Sequence, residues 1–298
     1  MLYVEIIVTD LTLAPDDLAL PFAIDGKQTR GRIVRLGGVA ERVVAGHGYR
    51  GDAARLAGEA LTIVSLLGSA LKFEGTLTLQ TRGEGRARMV VADFATPGQV
   101  RSFVSVAEDA EPDAPLLGEG SFALTIDPAE GQNRYQGIVE LHGSLSEAAL
   151  LYFQQSEQIP TKLKIAVGQV QTGGEPTWRA GGILLQRVAG EGGVQPTEAN
   201  DDDWVRFGAL LDTVGADELL DPTLSGEDLL YRLFNEDTVR VFEPQPIAFQ
   251  CRCSPERVAN VLDSYSADEL EDLKLPDGRI EAKCEFCGTV YPYERSAA

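Results

Sequence analysis

Apolar and polar positions alternate in short bursts along much of the chain, and one long apolar block interrupts them. Leu2 to Thr9 is apolar and rich in β-branched residues, which predicts a first strand. Arg30-Gly31-Arg32-Ile33-Val34-Arg35-Leu36 predicts another, with its basic residues on one face. From Asp52 to Leu71, small and aliphatic residues cover nearly the whole helical circumference, the mark of a helix buried on all sides. Strands recur at Thr76 to Thr81, Ala87 to Asp93, Ser121 to Ile126 and Gln136 to Leu141. Gly83-Glu84-Gly85 and Gly118-Glu119-Gly120 hint at two similar hairpins among them. Ser146 to Gln158 reads as a helix with Ser146 as N-cap and Pro160 beyond its end. Lys162 to Gln171 and Trp178 to Gln186 are two more strands. Strands and helices mix without strict alternation, so the expected class is α+β.

The pattern changes near Val188. From Glu191 to Arg240 there are 13 Asp or Glu against 3 Arg, a net of −10. Two amphipathic stripes run through this acidic stretch. Trp204, Phe207, Leu210, Leu211 and Val214 fall at helical spacing, as do Leu229, Leu230, Leu233 and Phe234 after a capping-box-like Ser225-Gly-Glu-Asp228. Short helices are marginal without tertiary contacts, and crowded like charge weakens them further. The expected organisation is a core domain over 1–187, an acidic helical linker over 188–240 and a small domain over 241–298.

The net charge of −20 opposes binding to a phosphate backbone or an anionic membrane surface, because both depend on Lys and Arg. The amino terminus has no basic and then apolar run, so no secretory signal is expected. Ala60 to Leu71 carries Thr62, Ser65 and Ser69 and is too short for a membrane span of roughly 20 residues. A cytosolic protein is expected. In that reducing compartment, cysteines seldom form permanent disulfides.

All 4 cysteines lie near the C-terminus as Cys251-Arg-Cys253 and Cys284-Glu-Phe-Cys287-Gly288. Four thiolates in two close pairs can surround one tetrahedral Zn²⁺. Local signals fit paired knuckles: a strand over Pro246 to Gln250, a helix from Ser254-Pro255 through Leu262, and a second helix at the capping box Ser266-Ala-Asp-Glu269. A turn at Pro276-Asp277-Gly278 and strands on either side of the second knuckle complete the domain. So small a core would lean on the metal. Four cysteines leave no open coordination position, which favours a structural zinc over a catalytic one. The CxC pair departs from ordinary zinc ribbons, and adjacent thiolates are also primed for oxidation. Of three possible connectivities, closeness in sequence favours Cys251–Cys253 and Cys284–Cys287.

The two pairs and their spacer of about thirty residues resemble the zinc domain of the heat shock protein 33 family. The likeness continues through Val241-Phe-Glu-Pro-Gln245, Leu229-Leu-Tyr-Arg-Leu233, Leu67-Gly-Ser-Ala-Leu-Lys-Phe-Glu-Gly75 and Ala180-Gly-Gly-Ile-Leu-Leu-Gln186, nearly the whole chain. The resemblance implies an ATP-independent holdase, not an enzyme, inactive when reduced and carrying one Zn²⁺. It implies that oxidation releases the metal, unfolds the zinc domain and then the linker, and exposes apolar surface to unfolding client proteins. A dimer is implied for the oxidised form. The client surface expected on this basis is Trp204, Phe207, Leu210, Leu211, Leu229, Leu230, Leu233 and Phe234.

Other readings remain open at this stage. A zinc ribbon with purely structural metal would bind a nucleic acid or a translation component, against which the net charge argues. A thiol oxidoreductase using Cys284 and Cys287 lacks the βαβ context of that chemistry. His47 and His142 lie beside glycines, far from the cysteines, and read as surface or turn residues. No phosphate-binding loop is present, and no nucleophile–base pair stands out. Arg30, Arg32 and Arg35 are expected to be a solvated strand face or partners for the abundant acids, with an anion or a second subunit as the sharper alternative.

Overall fold

The computed structural model describes residues 5–7, 13–107, 114–130, 133–188 and 198–293. Much of the predicted Leu2 to Thr9 strand and most of the stretch from Ala189 to Asn200, at the start of the expected linker, lie outside the described residues. The chain divides into two compact units, Met1–Phe249 and Gln250–Ala298.

In the first unit, α1 (Gly38–His47) leads into α2 (Gly51–Gly68), whose residues from Ala54 to Gly68 are almost all buried. The all-round apolar pattern is explained by a sheet on each side. One sheet holds β1 (Glu5–Ile7), β2 (Leu18–Ile24), β3 (Thr29–Leu36), β9 (Thr161–Gln171), β10 (Thr177–Arg187) and β11 (Val239–Val241), in the order β1-β9-β10-β3-β2-β11. The other holds β4 (Gly75–Gly83), β5 (Ala87–Ala95), β6 (Gln99–Val106), β7 (Gly120–Pro128), β8 (Tyr135–Leu141) and β13 (Ala248–Phe249), in the order β13-β6-β5-β4-β7-β8. Two glycines let α2 settle between them. A Cβ on Gly58 would lie 2.6 Å from Val167 of β9, and one on Gly68 would lie 2.2 Å from the Phe94 ring of β5. The class is α+β, as expected.

Strand β2 was not expected, because Leu-Ala-Leu-Pro-Phe-Ala-Ile does not alternate and contains a proline. It is apolar on both faces because both are covered. Pro21 has no N–H to donate, and the neighbouring strand is split: β11 pairs with Phe22 to Ile24, while β12 (Gln245–Pro246) pairs with Leu18 and Ala19. Residues 241–249, which the sequence grouped with the cysteines, thus strap the first unit. The two Gly-Glu-Gly segments are neighbours, Glu84 donating its N–H to the Glu119 carbonyl at 3.0 Å.

The outer face of the first sheet carries a second core. Helices α4 (Glu198–Thr213), α5 (Ala216–Leu220) and α6 (Gly226–Phe234) cover Leu20, Phe22, Ile33, Ile183 and Leu185. The Phe207 ring meets Phe234 edge-on at 5.6 Å, and Phe234 meets Phe22 at 6.1 Å. The acidic excess of the segment is partly neutralised by pairs: Lys27–Asp203 at 2.9 Å, Arg206–Asp237 at 2.7 Å and Arg187–Asp201 at 2.6 Å. Two core arginines also reach it. Arg179 donates to the Leu220 carbonyl at 2.9 Å and pairs with Asp16, while Arg35 donates to the Asp221 carbonyl.

Three arginines expected on one strand face are divided between two. Arg35 is buried on the helix-covered side, whereas Arg30 and Arg32 point with Val34 and Leu36 toward α2. The helix predicted from Ser146 starts one residue earlier, as α3 (Leu145–Tyr152), and its cap is Ser144. Ser144 and Glu147 form a reciprocal capping box. A π-helical turn over Phe153–Glu157 follows, ending at Gln158 with φ 54°. Ser146 instead gives its N–H and hydroxyl to Glu59 Oε1 at 3.0 and 2.6 Å.

Burial pushes the Glu59 carboxyl above its ordinary range, against the two Ser146 bonds that favour its charge. With the folded-state value raised, the unfolded chain ionises first as pH climbs past the usual carboxylate range, so this position loses stability with rising pH. Glu59→Gln keeps both accepted hydrogen bonds and removes the charge. Its Tm is expected to exceed the wild-type value by a few degrees at pH 7 and to converge with it toward pH 4. Parallel Tm curves across that range would contradict this.

Candidate metal centre

The second unit is built around its cysteines and little else. Among the described residues its buried apolar side chains are Leu262, Leu270 and Tyr293, with Val258, Ala259, Ile280 and Ala282 packed partly buried against them. Helix α7 (Pro255–Leu262) begins with proline at its first position, and Ser254 Oγ accepts from the Arg257 N–H at 3.2 Å. Helix α8 (Ala267–Asp272) opens on the reciprocal Ser266–Glu269 capping box. Strands β14 (Ile280–Lys283) and β15 (Val290–Tyr293) pair antiparallel, and the Tyr293 hydroxyl donates to Asp263 Oδ1 at 2.5 Å.

Between those strands lies the second cysteine pair. The Cys284 carbonyl accepts from Gly288 N–H at 2.8 Å, and Cys284 N–H donates to the Thr289 carbonyl at 2.9 Å. The turn needs φ 72° at Gly288, a conformation open to glycine without a Cβ clash. The first pair lies just before α7, with Arg257 Nη1 donating to the Arg252 carbonyl at 2.7 Å. Together the two segments bring all four Sγ atoms within 4.8 Å of one another. Cys251 and Cys284 approach to 3.6 Å, and Cys253 and Cys287 to 3.4 Å.

These separations are too long for disulfides, whose sulfurs bond at about 2 Å. They suit a metal. Bonds of about 2.3 Å from one centre to four tetrahedral sulfurs place those sulfurs roughly 3.8 Å apart. The four soft, partly buried donors fit Zn²⁺ in number, type and spacing.

Electrostatics points the same way. Burial pushes Cys284 up to about 12 and also raises Cys253. At Cys287 burial likewise raises the value, but the Thr289 hydroxyl and N–H and the neighbouring thiols outweigh it, leaving about 6. Such a cluster resists carrying four negative charges unless a cation shares the space. Tyr291 and Thr289 were seen in the sequence only as strand residues. The Tyr291 hydroxyl donates to Cys253 Sγ at 3.0 Å, and Thr289 Oγ1 lies 3.2 Å from Cys287 Sγ. The signal was hydroxyl-bearing residues just past the second knuckle.

The other candidates lie elsewhere. His47 stacks on Tyr49 at 4.8 Å, and His142 sits 3.2 Å from Glu140, neither in the cysteine cluster. Of the expected client surface, Phe207, Leu211, Leu229, Leu230, Leu233 and Phe234 are buried. Trp204 and Leu210 are half-buried against the same cluster. No helix among the described residues is long and apolar enough to cross a membrane.

The family model described as "Hsp33 protein" matches residues 17–294. The 33 kDa chaperonin of Caulobacter vibrioides is 43% identical over 294 residues, covering 95% of this chain and 96% of that protein. The 33 kDa chaperonin of Pseudomonas aeruginosa is 39% identical over 291 residues, covering 95% and 94%. Among solved structures, the 33 kDa chaperonin of Thermotoga maritima superposes with a TM-score of 0.74 at 25% identity, covering 94% of this chain and 95% of that one.

Proposed function

The chain belongs to the Hsp33 family of chaperones, and we propose that its capture of unfolding proteins needs no ATP and is switched on by oxidation of Cys251, Cys253, Cys284 and Cys287. The observation that carries this reading is the meeting of four sulfurs within 4.8 Å in a unit whose fully buried apolar side chains, among the described residues, are three. When bound there, one Zn²⁺ would hold the sulfurs as thiolates and supply much of the unit's folding free energy.

The chain's own atoms do the rest. Two thiols give one disulfide, two protons and two electrons, and a peroxide takes these up to leave as two waters. Two such events, pairing Cys251 with Cys253 and Cys284 with Cys287, consume the whole donor set. Disulfide sulfurs are poor metal ligands, so a fold supported by three buried side chains loses its main support. Cys251 follows β13 by one residue, and β11 to β13 follow α6, so loss of order in the second unit reaches the straps beside the linker along the chain. Release of α4 and α6 would uncover Phe207, Leu211, Leu229, Leu230, Leu233 and Phe234, with Trp204 and Leu210 at their edge. These side chains are the surface that holds clients, and the surrounding carboxylates keep it soluble.

Light scattering of a heat-unfolding client tests the switch. The peroxide-treated protein is expected to suppress aggregation, the reduced zinc-loaded protein to leave it unchanged, and thiol reductant to reverse the gain. Equal suppression in both states would make the cysteine centre purely structural.

A further inference from the structure

Two basic residues of the first unit have neither of the partners expected of them. Arg30 and Arg32 are not a solvated face, because both are half-buried on the α2 side of β3. They are not ion-paired either. The Nε of each is buried without a hydrogen-bond partner, and among the described residues no carboxylate lies within ion-pair distance of either. Arg32 is pushed down to about 10 by burial and then by the neighbouring charge of Arg30. In a protein of net charge −20, these are two half-buried positive charges with no carboxylate paired to them among the described residues.

Arg30 opens into a cavity of about 170 Å³ between the two sheets and the π-helical turn. Its apolar walls include Leu67, Leu77, Leu124, Ile126, Phe153 and Leu184. Its polar rim is Arg30, Gln186, Tyr152 and Glu157. Gln186 stands opposite Arg30 in the β10–β3 register and is 5% exposed, which places an amide beside the guanidinium. Glu157 is engaged, its Oε1 accepting from the Tyr152 hydroxyl at 2.7 Å.

We propose that this cavity binds a small amphipathic carboxylate, its head on Arg30 and its aliphatic body along the leucine and isoleucine walls. A guanidinium offers a two-donor fork that matches a carboxylate. The apolar walls disfavour a doubly charged phosphate, which would have to shed far more hydration than a monoanion. A cavity of mainly apolar lining with a few convergent polar groups is the usual form of a small-molecule site. The site lies wholly in the first unit and stands independently of the redox reading.

Calorimetric titration of the reduced full-length protein with octanoate tests it. Saturable binding is expected, with 1-octanol and acetate at least about tenfold weaker, since each lacks one half of the recognition. Arg30→Gln should weaken octanoate about tenfold or more, and Glu157→Gln should tighten it by removing a nearby like charge. No saturable heat up to about 10 mM, or octanol binding as well as octanoate, overturns the proposal. Unchanged affinity in a folded Arg30→Gln variant also overturns it. Should that variant fail to fold by circular dichroism, Glu157→Gln decides, tighter binding supporting the site and unchanged or weaker binding refuting it.

Discussion

Cys284→Ser is expected to unfold the second unit while leaving the two-sheet core of the first intact. Cys284 contributes twice: its sulfur lies 3.6 Å from Cys251, and its carbonyl anchors the knuckle through Gly288. The substitution keeps the backbone bonds and removes one soft donor of four. Structural zinc sites of this type supply on the order of 10 kcal/mol or more of apparent folding free energy. Three buried apolar side chains cannot replace that. Zinc affinity in competition with a chromogenic chelator should fall by about a thousandfold or more. Hydrogen-exchange protection over residues 255–293 should collapse, with the main thermal transition of the first unit retained. Tyr291→Phe, which removes only the hydroxyl 3.0 Å from Cys253, should cost a milder 10- to 100-fold in affinity by roughly the scale of outer-shell changes. Full zinc retention in Cys284→Ser would mean that the quartet is not the ligand set.

Phe207→Ala should loosen the linker and give the reduced protein holdase activity. Phe207 is 0% exposed, packs on Phe234, and through it on Phe22 of β2. Truncating a buried phenylalanine costs about 3–5 kcal/mol, of which little can be recovered by collapse between a helix and a sheet. The helix it belongs to is acidic and has little stability of its own. Most of that cost should therefore appear as local opening of α4 to α6, not as loss of the two-sheet core. Exchange across residues 203–234 should quicken by two or more orders of magnitude, roughly the fold-change of such an energy. Suppression of client aggregation should follow without oxidant. Faster exchange with no gain in suppression would remove these side chains from the client surface and leave capture to the core.

What could be seen before folding follows the range of the interactions involved. The meeting of the four sulfurs was legible because knuckle geometry is local, and Ser254-Pro255 and Ser266–Glu269 punctuate the helices between them. The Ser146 cap was misplaced for the same local reason: Ser144 and Ser146 both suit a cap, and Glu147 decides between them by pairing with Ser144. Tyr291 as a sulfur partner was not legible, because a single hydroxyl on a strand makes no spacing pattern and its partner Cys253 lies 38 residues away.

By itself the sequence determined that α2 is buried all round, that two apolar stripes lie in an acidic segment, and that one compact site gathers every cysteine. Each is a statement about periodicity or spacing within a short window, and such windows carry their own physics. The tertiary structure alone decided that β2 is a strand despite Pro21, because covering both its faces removes the need for alternation. It also decided that Arg35 holds a linker carbonyl while Arg30 and Arg32 face a cavity's side of the sheet. Pleating sends neighbouring side chains to opposite faces, but which layer waits on each face is set beyond the strand: α2 covers one, and α4 to α6, from more than a hundred residues further on, cover the other.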